Sequence, residues 1–375
     1  MREKTLERTL GRTLTAAVSR GPGDPMSFEQ LTMGVPRDDE ILVEVRYAGI
    51  CHTDINCHHG RAPTPQPIVL GHEGAGVVLE IGARVETVSP GDRVLMTFMS
   101  CGRCRTCLTG HPAYCPAALA LNFLGGRADG SSAYRDTDVR GHFFGQSSFA
   151  TLAMANARNV VAVPDEIPLD RAAVLGCGIM TGAGAVLNSL RVTPGSSVAV
   201  FGAGAVGMAA VMAARIAGAS TVVAVDAVGS RLDLAGKVGA SHTLLAGDDV
   251  VAVLADITGG GVDFSVEASG HPVALTQAID GLGTGGACAA VGTVNGPASP
   301  SWRALRLKGA TVRGVVEGDA NPAVFLPELL RFHAEGRFPF ETLISHYDFT
   351  EIDGAIAEAA SGVTIKPVLR IGGRS

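Results

Sequence analysis

The stretch Ser197-Val-Ala-Val-Phe-Gly-Ala-Gly-Ala-Val-Gly207 decides the fold. Its first five residues form an apolar, β-type run. Gly202, Gly204 and Gly207 follow in G-x-G-x-x-G spacing, with Ala205 and Val206 between the last two, and Met208–Ala217 then reads as a helix closed by Gly218. In that strand–turn–helix context the first glycine permits a tight turn, the second lets a pyrophosphate approach the backbone, and the third lets helix and strand pack closely. The helix start adds free N–H groups and a positive dipole end. Glycine supplies 49 of the 375 residues, well above the usual share of about 7%, so the spacing alone is weak evidence here. A second apolar run, Thr221–Val225, strengthens it by ending in Asp226, 19 residues beyond Gly207. A carboxylate about 20 residues on accepts hydrogen bonds from ribose hydroxyls and repels a 2′-phosphate, which favours NAD over NADP. The competing reading of Asp226 is an ordinary turn aspartate after a strand.

Outward from this motif, apolar runs at Ser197–Phe201, Thr221–Val225, Val262–Glu267, Ala287–Gly292 and Thr311–Val316 alternate with helical stretches. That alternation predicts βαβ units and a parallel, doubly wound α/β domain over 181–321. The preceding segment is dense in Gly, Pro and short runs such as Ile41–Val45, Gly76–Ile81 and Arg93–Thr97, which predicts an antiparallel, loop-rich architecture. The tail ends in another β-like run, Pro367–Ile371. The expected layout is a dinucleotide-binding domain inserted into a β-rich domain built from 1–180 and 322–375, with residues 1–11 a polar extension. There is no internal repeat of solenoid period.

Composition removes several classes of function. At 46% hydrophobic and 18% charged residues the chain can bury a substantial core. A net charge of −6 without a basic block argues against nucleic acid as a partner. The first residues lack an apolar signal region. The uncharged stretches Ala172–Leu190 and Val192–Ala214 are interrupted by Gly, Asn, Ser and Pro, so they read as buried structure rather than membrane spans. The expected location is the cytoplasm.

Four of the eight cysteines fall together, Cys101, Cys104, Cys107 and Cys115, in C-x2-C-x2-C-x7-C spacing over a lobe at 98–116. Clustered cysteines in a cytosolic chain point to metal, and four thiolates close a zinc tetrahedron with no open position, which is a structural site. The rival is an iron–sulfur cluster, although ferredoxin spacing places three residues before the last cysteine. Three other ligand types stand apart: Cys51 in Gly49-Ile-Cys-His-Thr-Asp54, His72 in Gly71-His-Glu-Gly-Ala-Gly76, and Cys177 in Gly176-Cys-Gly178. Each alone reads as a buried thiol or a satisfied imidazole. Together, two Cys and one His would leave a fourth coordination position for water or substrate, the arrangement of a catalytic zinc.

These motifs, with GCGxxTGxGA at 176–185, occur in the order seen in zinc-dependent medium-chain alcohol dehydrogenases, and the chain resembles that family from about residue 12 to 371. His142-Phe-Phe-Gly-Gln-Ser-Ser-Phe149 is most similar to the aryl (benzyl) and allylic alcohol branch; formaldehyde dehydrogenases that use glutathione are the alternative. The resemblance implies a Rossmann domain within a GroES-like catalytic domain, two zinc ions and NAD. It implies catalytic zinc on Cys51, His72 and Cys177 and structural zinc on the four-cysteine lobe. Glu73 would lie close behind the catalytic metal, and Asp54 would orient the His72 ring. Thr181 and Val291-Gly292-Thr293 would flank the nicotinamide, Arg231 would stand near the adenosine ribose, and Lys366 and His52 near the pyrophosphate. Phe143, Phe98 and Phe123 are candidates for the substrate pocket. The implied reaction is reversible oxidation of a primary alcohol to its aldehyde, zinc lowering the pKa of the alcohol O–H and Thr53 relaying the proton. A homodimer is expected, with a tetramer the alternative. A zinc- and NAD-binding sensor without turnover is the contrasting class.

Two positions depart from the family pattern. Asn56 stands where a relay histidine is common, and a neutral amide cannot take up a proton at neutral pH. His52 replaces a frequent arginine, so its charge would fade as pH rises. His58 and His59 are expected in a solvated loop.

Overall fold

The computed structural model describes residues 11–247 and 249–372; of the expected polar extension, residues 1–10 lie outside the described residues. The chain divides into two compact units. Among the described residues, one comprises 11–177, 321–330 and 343–372; the other comprises 178–247, 249–320 and 331–342. Residues 331–342 therefore group with the inserted unit rather than with the tail to which sequence order had joined them.

The second unit is a six-stranded parallel sheet. Its strands are β1 (Ser197–Phe201), β2 (Thr221–Asp226), β3 (His242–Leu245), β4 (Val262–Glu267), β5 (Leu282–Ala290) and β6 (Thr311–Gly314). Their spatial order is 3-2-1-4-5-6, which places a switch of direction between β1 and β4, where open α/β sheets bind ligands beyond the carboxyl ends of the strands. Val198, Ala199, Val200 and Phe201 are all buried, which explains a continuous apolar run instead of an alternating one: both sheet faces are covered. The helix after β1 runs Ala205–Ile216, starting three residues earlier than the apolar pattern suggested because Ala205 and Val206 already belong to its first turn.

In the first unit the long strand Glu40–Gly49 pairs antiparallel with Glu73–Ile81 and Leu152–Asn156, and Lys366–Arg370 adds from the chain's end. This is the antiparallel sheet the Gly- and Pro-dense segment predicted. A second, four-stranded sheet runs Ile68–Val69, Arg12–Ser19, Ser27–Met33 and Tyr134–Arg135. Among the described residues no single helix is long and apolar enough to cross a membrane.

Candidate active site

Cys51 caps the helix His52–His58, and its extended backbone (φ −115°, ψ 158°) is fixed by a reciprocal capping box with Asp54. The Asp54 carboxylate is fully buried and serves three groups: Oδ2 accepts from the Cys51 N–H at 2.9 Å, while Oδ1 accepts from the Gly71 N–H at 3.0 Å and lies 2.9 Å from His72 Nδ1. One carboxylate thus ties two residues 21 positions apart in sequence. With Nδ1 so engaged, His72 Nε2 is buried with no hydrogen-bond partner. Cys177 follows the turn Val174–Gly176, which is held by a 2.6 Å hydrogen bond from Thr97 Oγ1 to the Gly176 carbonyl.

The donor atoms of Cys51, His72, Glu73 and Cys177 all lie within 4.8 Å of one another. An orphaned imidazole nitrogen facing two thiols is a buried polar cost unless a cation completes it, and two sulfurs with one nitrogen suit zinc. Glu73 is the fourth group within reach, but its Oε1 accepts from Lys366 Nζ at 2.6 Å in a fully buried ion pair. Burial pushes the Glu73 carboxyl up, and the Lys366 charge opposes that; burial pulls the Lys366 ammonium down, and the Glu73 charge more than offsets it. With Glu73 so paired, Cys51, His72 and Cys177 are the groups of this cluster that could hold a metal. It also commits Lys366, expected near a pyrophosphate, to Glu73 and to the Ile50 carbonyl at 3.4 Å.

The lobe sulfurs of Cys101, Cys104, Cys107 and Cys115 also lie within 4.8 Å of one another. Cys104–Cys107 at 3.4 Å and Cys101–Cys107 at 4.0 Å bracket the roughly 3.8 Å edge of a tetrahedron with Zn–S bonds of about 2.3 Å and are far longer than a disulfide. None of the eight cysteines is in a disulfide.

Around His72 stands an aromatic wall. Phe144 stacks on the imidazole at 4.4 Å between centroids, Phe143 meets it edge-on at 5.6 Å, and Phe123 packs edge-on against both phenylalanines. Phe98 is buried in the core and is not among these ring contacts. Sequence reasoning passed over Phe144, whose backbone is left-handed (φ 51°) and whose ring stacks on His72; its place beside Phe143 was the available signal. It also passed over Gln146, which donates to the His72 and Thr97 carbonyls and accepts from the Gly74 N–H, bracing the ligand strand. His58, expected in solvent, is buried in its helix with Nδ1 2.9 Å from Ser19 Oγ, because the helix turns that face inward; burial holds its pKa below the ordinary histidine value. His52 is exposed at the helix start, Asn56 is half-buried, and the Thr53 hydroxyl lies 3.9 Å from Cys51 Sγ.

In the second unit Gly202 adopts φ +92°, and a Cβ on Gly207 would fall 1.7 Å from the Gly202 carbonyl oxygen, so only glycine allows helix and turn to meet there. Gly204 faces open space. Asp226 is buried at the end of β2, its carboxylate accepting from the Ala203 N–H at 2.6 Å and the Val228 N–H at 2.8 Å. The acid therefore stands against the glycine turn with lone pairs to spare for a ribose. Arg231 lies in the following helix, Gly229–Val238. Val291 and Gly292 both donate to the Glu267 carbonyl, and Thr181 lies in the helix Gly178–Gly184.

Residues 37–165 match the family model for the alcohol dehydrogenase GroES-like domain, and 205–334 match that for zinc-binding dehydrogenases. Geraniol dehydrogenase of Castellaniella defragrans is 44% identical over 94% of this chain and 96% of its own length. This chain belongs to the zinc-dependent medium-chain alcohol dehydrogenases. Two solved structures extend the likeness to three dimensions. An alcohol dehydrogenase zinc-binding domain protein from Burkholderia ambifaria is 50% identical, and benzyl alcohol dehydrogenase from Acinetobacter calcoaceticus is 42% identical. Each has a TM-score of 0.94, covering 96% of this chain and all of the other. The dehydrogenase is thus an NAD-dependent zinc oxidoreductase acting on small alcohols, with a GroES-like domain and a Rossmann domain.

Proposed function

We propose that this dehydrogenase interconverts aromatic or allylic primary alcohols and their aldehydes. The observation that carries the reading is the Phe143–Phe144 pair packed on His72 with Phe123 against both: aromatic surroundings beside the metal suit a planar substrate better than ethanol. The geraniol and benzyl alcohol relatives support it. When bound, zinc supplies a Lewis acid for the alcohol oxygen and NAD supplies the hydride acceptor.

The chain's own residues divide the remaining work. Cys51, His72 and Cys177 hold the catalytic metal, and Asp54 fixes the tautomer of His72 so that Nε2 is the ligand atom. Lys366 neutralises Glu73 and keeps it from closing the fourth position. The Thr53 hydroxyl accepts the alcohol proton while passing its own on; with Asn56 unable to take it up, the proton leaves to water. Cys101, Cys104, Cys107 and Cys115 hold the structural metal. Gly202, Gly204, Ala205, Val206 and Gly207 would cradle the pyrophosphate, Asp226 and Arg231 would take the adenosine ribose, and Thr181, Val291 and Gly292 would flank the nicotinamide. The catalytic domain is the first unit and the nucleotide domain the second. Strand β6 is an exposed sheet edge with all four residues in solvent, which supports pairing with a second copy and a homodimer. Eight cysteines outside disulfides support a reducing, cytoplasmic setting.

The test is NADH absorbance with benzyl alcohol, cinnamyl alcohol, geraniol, ethanol and S-(hydroxymethyl)glutathione. Burying a ring or an isoprenoid tail is worth roughly 2–3 kcal/mol, so kcat/KM should favour the large alcohols over ethanol by about 30- to 150-fold. Preference for ethanol or for the glutathione adduct overturns the proposal.

A further inference from the structure

We infer that Glu317 sets a negative charge beside the nicotinamide and selects the oxidised, cationic cofactor over the reduced, neutral one; this rests on the reading of Thr181 and Val291–Thr293 as the nicotinamide flank. The Val315 N–H donates to the Ala290 carbonyl at 2.9 Å, extending the β5–β6 pairing one step past β6. Glu317 comes two residues later, at the carboxyl edge of the parallel sheet, where this fold class binds its ligands. The residues that follow Ala290 are Val291 and Gly292.

The backbone here is unusual. Glu317, Gly318 and Asp319 take φ of 49°, 64° and 52° in succession. Two non-glycine residues in the left-handed region persist only where their surroundings over-determine them, and such strain concentrates at functional sites. The restraints are visible. Arg313 and Ser189 each meet Asp319 Oδ2 at 2.6 Å, and Asn188 Nδ2 donates to the Gly318 carbonyl at 3.1 Å. The turn sits tightly on the helix Gly178–Gly184: a Cβ on Gly184 would fall 2.2 Å from the Gly318 oxygen, and one on Gly318 would fall 2.7 Å from the Met180 oxygen. What the arrangement delivers is the Glu317 carboxylate, whose Oε2 accepts from Thr181 Oγ1 at 3.4 Å. Asp319 is buried and ion-paired with Arg313, and Glu317 is half-buried with its carboxylate against Thr181, the residue expected to line the ring.

The nicotinamide ring of NAD+ carries a positive charge that is lost when the ring accepts hydride. A carboxylate held against that side lowers the free energy of the cation and leaves the neutral ring almost untouched. Glu317 is thus a specificity determinant for redox state, biasing the bound cofactor toward the form that oxidises alcohols.

The experiment compares equilibrium Kd values of the zinc-loaded, full-length dehydrogenase for NADH, by fluorescence, and for NAD+, by calorimetry, in wild type, Glu317→Gln and Glu317→Asp. Gln keeps an acceptor for Thr181 but removes the charge. We expect NAD+ to bind about tenfold more weakly to Glu317→Gln, the size of one charge contact at a partly solvated site, with NADH moving less than about twofold. Glu317→Asp should keep the NAD+/NADH ratio within about threefold of wild type. A ratio unmoved in Glu317→Gln, including equal weakening of both nucleotides, overturns the inference and leaves a purely structural turn. Binding of neither nucleotide by wild type overturns the nicotinamide reading itself. The wild type carries an independent check should Glu317→Gln not fold. Raising salt from about 20 mM to about 0.5 M screens the pyrophosphate equally in both nucleotides, so the ratio must still fall toward NADH; a salt-independent ratio counts against Glu317.

Discussion

Replacing Asp54 with Asn is the sharpest perturbation of the proposed metal centre, because one buried carboxylate holds both Cys51 and His72. Its oxygens accept from the Cys51 N–H (2.9 Å), the Gly71 N–H (3.0 Å) and His72 Nδ1 (2.9 Å). An amide has one acceptor oxygen, so Asn can serve the Gly71–His72 pair or Cys51 but not both, and its NH2 must face a donor. Each buried donor left unanswered costs about 1–3 kcal/mol, and loss of a partner that orients a ligating histidine typically costs 10- to 100-fold in metal affinity, about 1.4–2.7 kcal/mol. The expected result is a catalytic zinc 10- to 100-fold weaker by chelator competition, with kcat/KM falling in parallel when zinc is limiting and recovering in part when it is in excess. The lobe zinc is the internal control: Cys101, Cys104, Cys107 and Cys115 share no hydrogen bond with Asp54, so the second ion should keep its affinity. Equal weakening of both ions would mean general destabilisation. Unchanged affinity of both would refute the reasoning that Asp54 organises the site.

Phe144→Leu removes the ring stacked on His72; kcat/KM for benzyl alcohol should drop by about tenfold or more with ethanol changed less than threefold, as read by initial rates, and a uniform loss would argue for a core role. Cys107→Ser should cut zinc from two ions per chain to one by elemental analysis and lower the melting temperature by several degrees, since a structural zinc stabilises its lobe directly. Glu40 gives a pH prediction. Burial raises its pKa, but the His142 ring 3.7 Å away, hydrogen bonds from Arg127 and the Arg37 N–H, and the Arg127 charge outweigh that and bring it to about 2. A depressed carboxylate pKa stabilises the fold above about pH 4.5, and that contribution is lost as pH falls from there toward 2. Urea midpoints across pH 3–6 should show a limb of up to about 2 kcal/mol in wild type that is flattened in Glu40→Gln; identical slopes would remove Glu40 from the account of acid stability.

The sequence announces groups whose chemistry needs a fixed spacing along the chain. The glycine turn and Asp226 are legible because a strand, a turn and a helix place them within one βαβ unit, and the four-cysteine lobe is legible because a single short loop must close around one ion. What escapes is set by contacts that spacing does not encode. Lys366 meets Glu73 across 293 positions, through pairing of the final strand with Glu40–Gly49, so a lysine near the C-terminus gives no local sign that it neutralises an acid behind the metal. His58 carries no mark distinguishing it from His59 except the helix phase that buries one and leaves the other half-exposed.

Phe144 and Glu317 fail to show for a different reason. Both sit in left-handed backbone that sequence patterns assign to glycine, and each is flanked by one, Gly145 and Gly318. Conformations of that kind are unfavourable locally and are stabilised by tertiary restraints: Asn159, donating to the Phe144 and Gly145 carbonyls at 3.1 Å, in one case, and Arg313, Ser189 and Asn188 in the other. A reading that follows local preference is therefore least informative where the fold spends stability to aim a side chain. In this dehydrogenase those two places aim one ring at a metal ligand and one carboxylate at Thr181. Candidate ligands are thus written in motifs, whereas the groups expected to tune substrate and cofactor choice are written in exceptions to them.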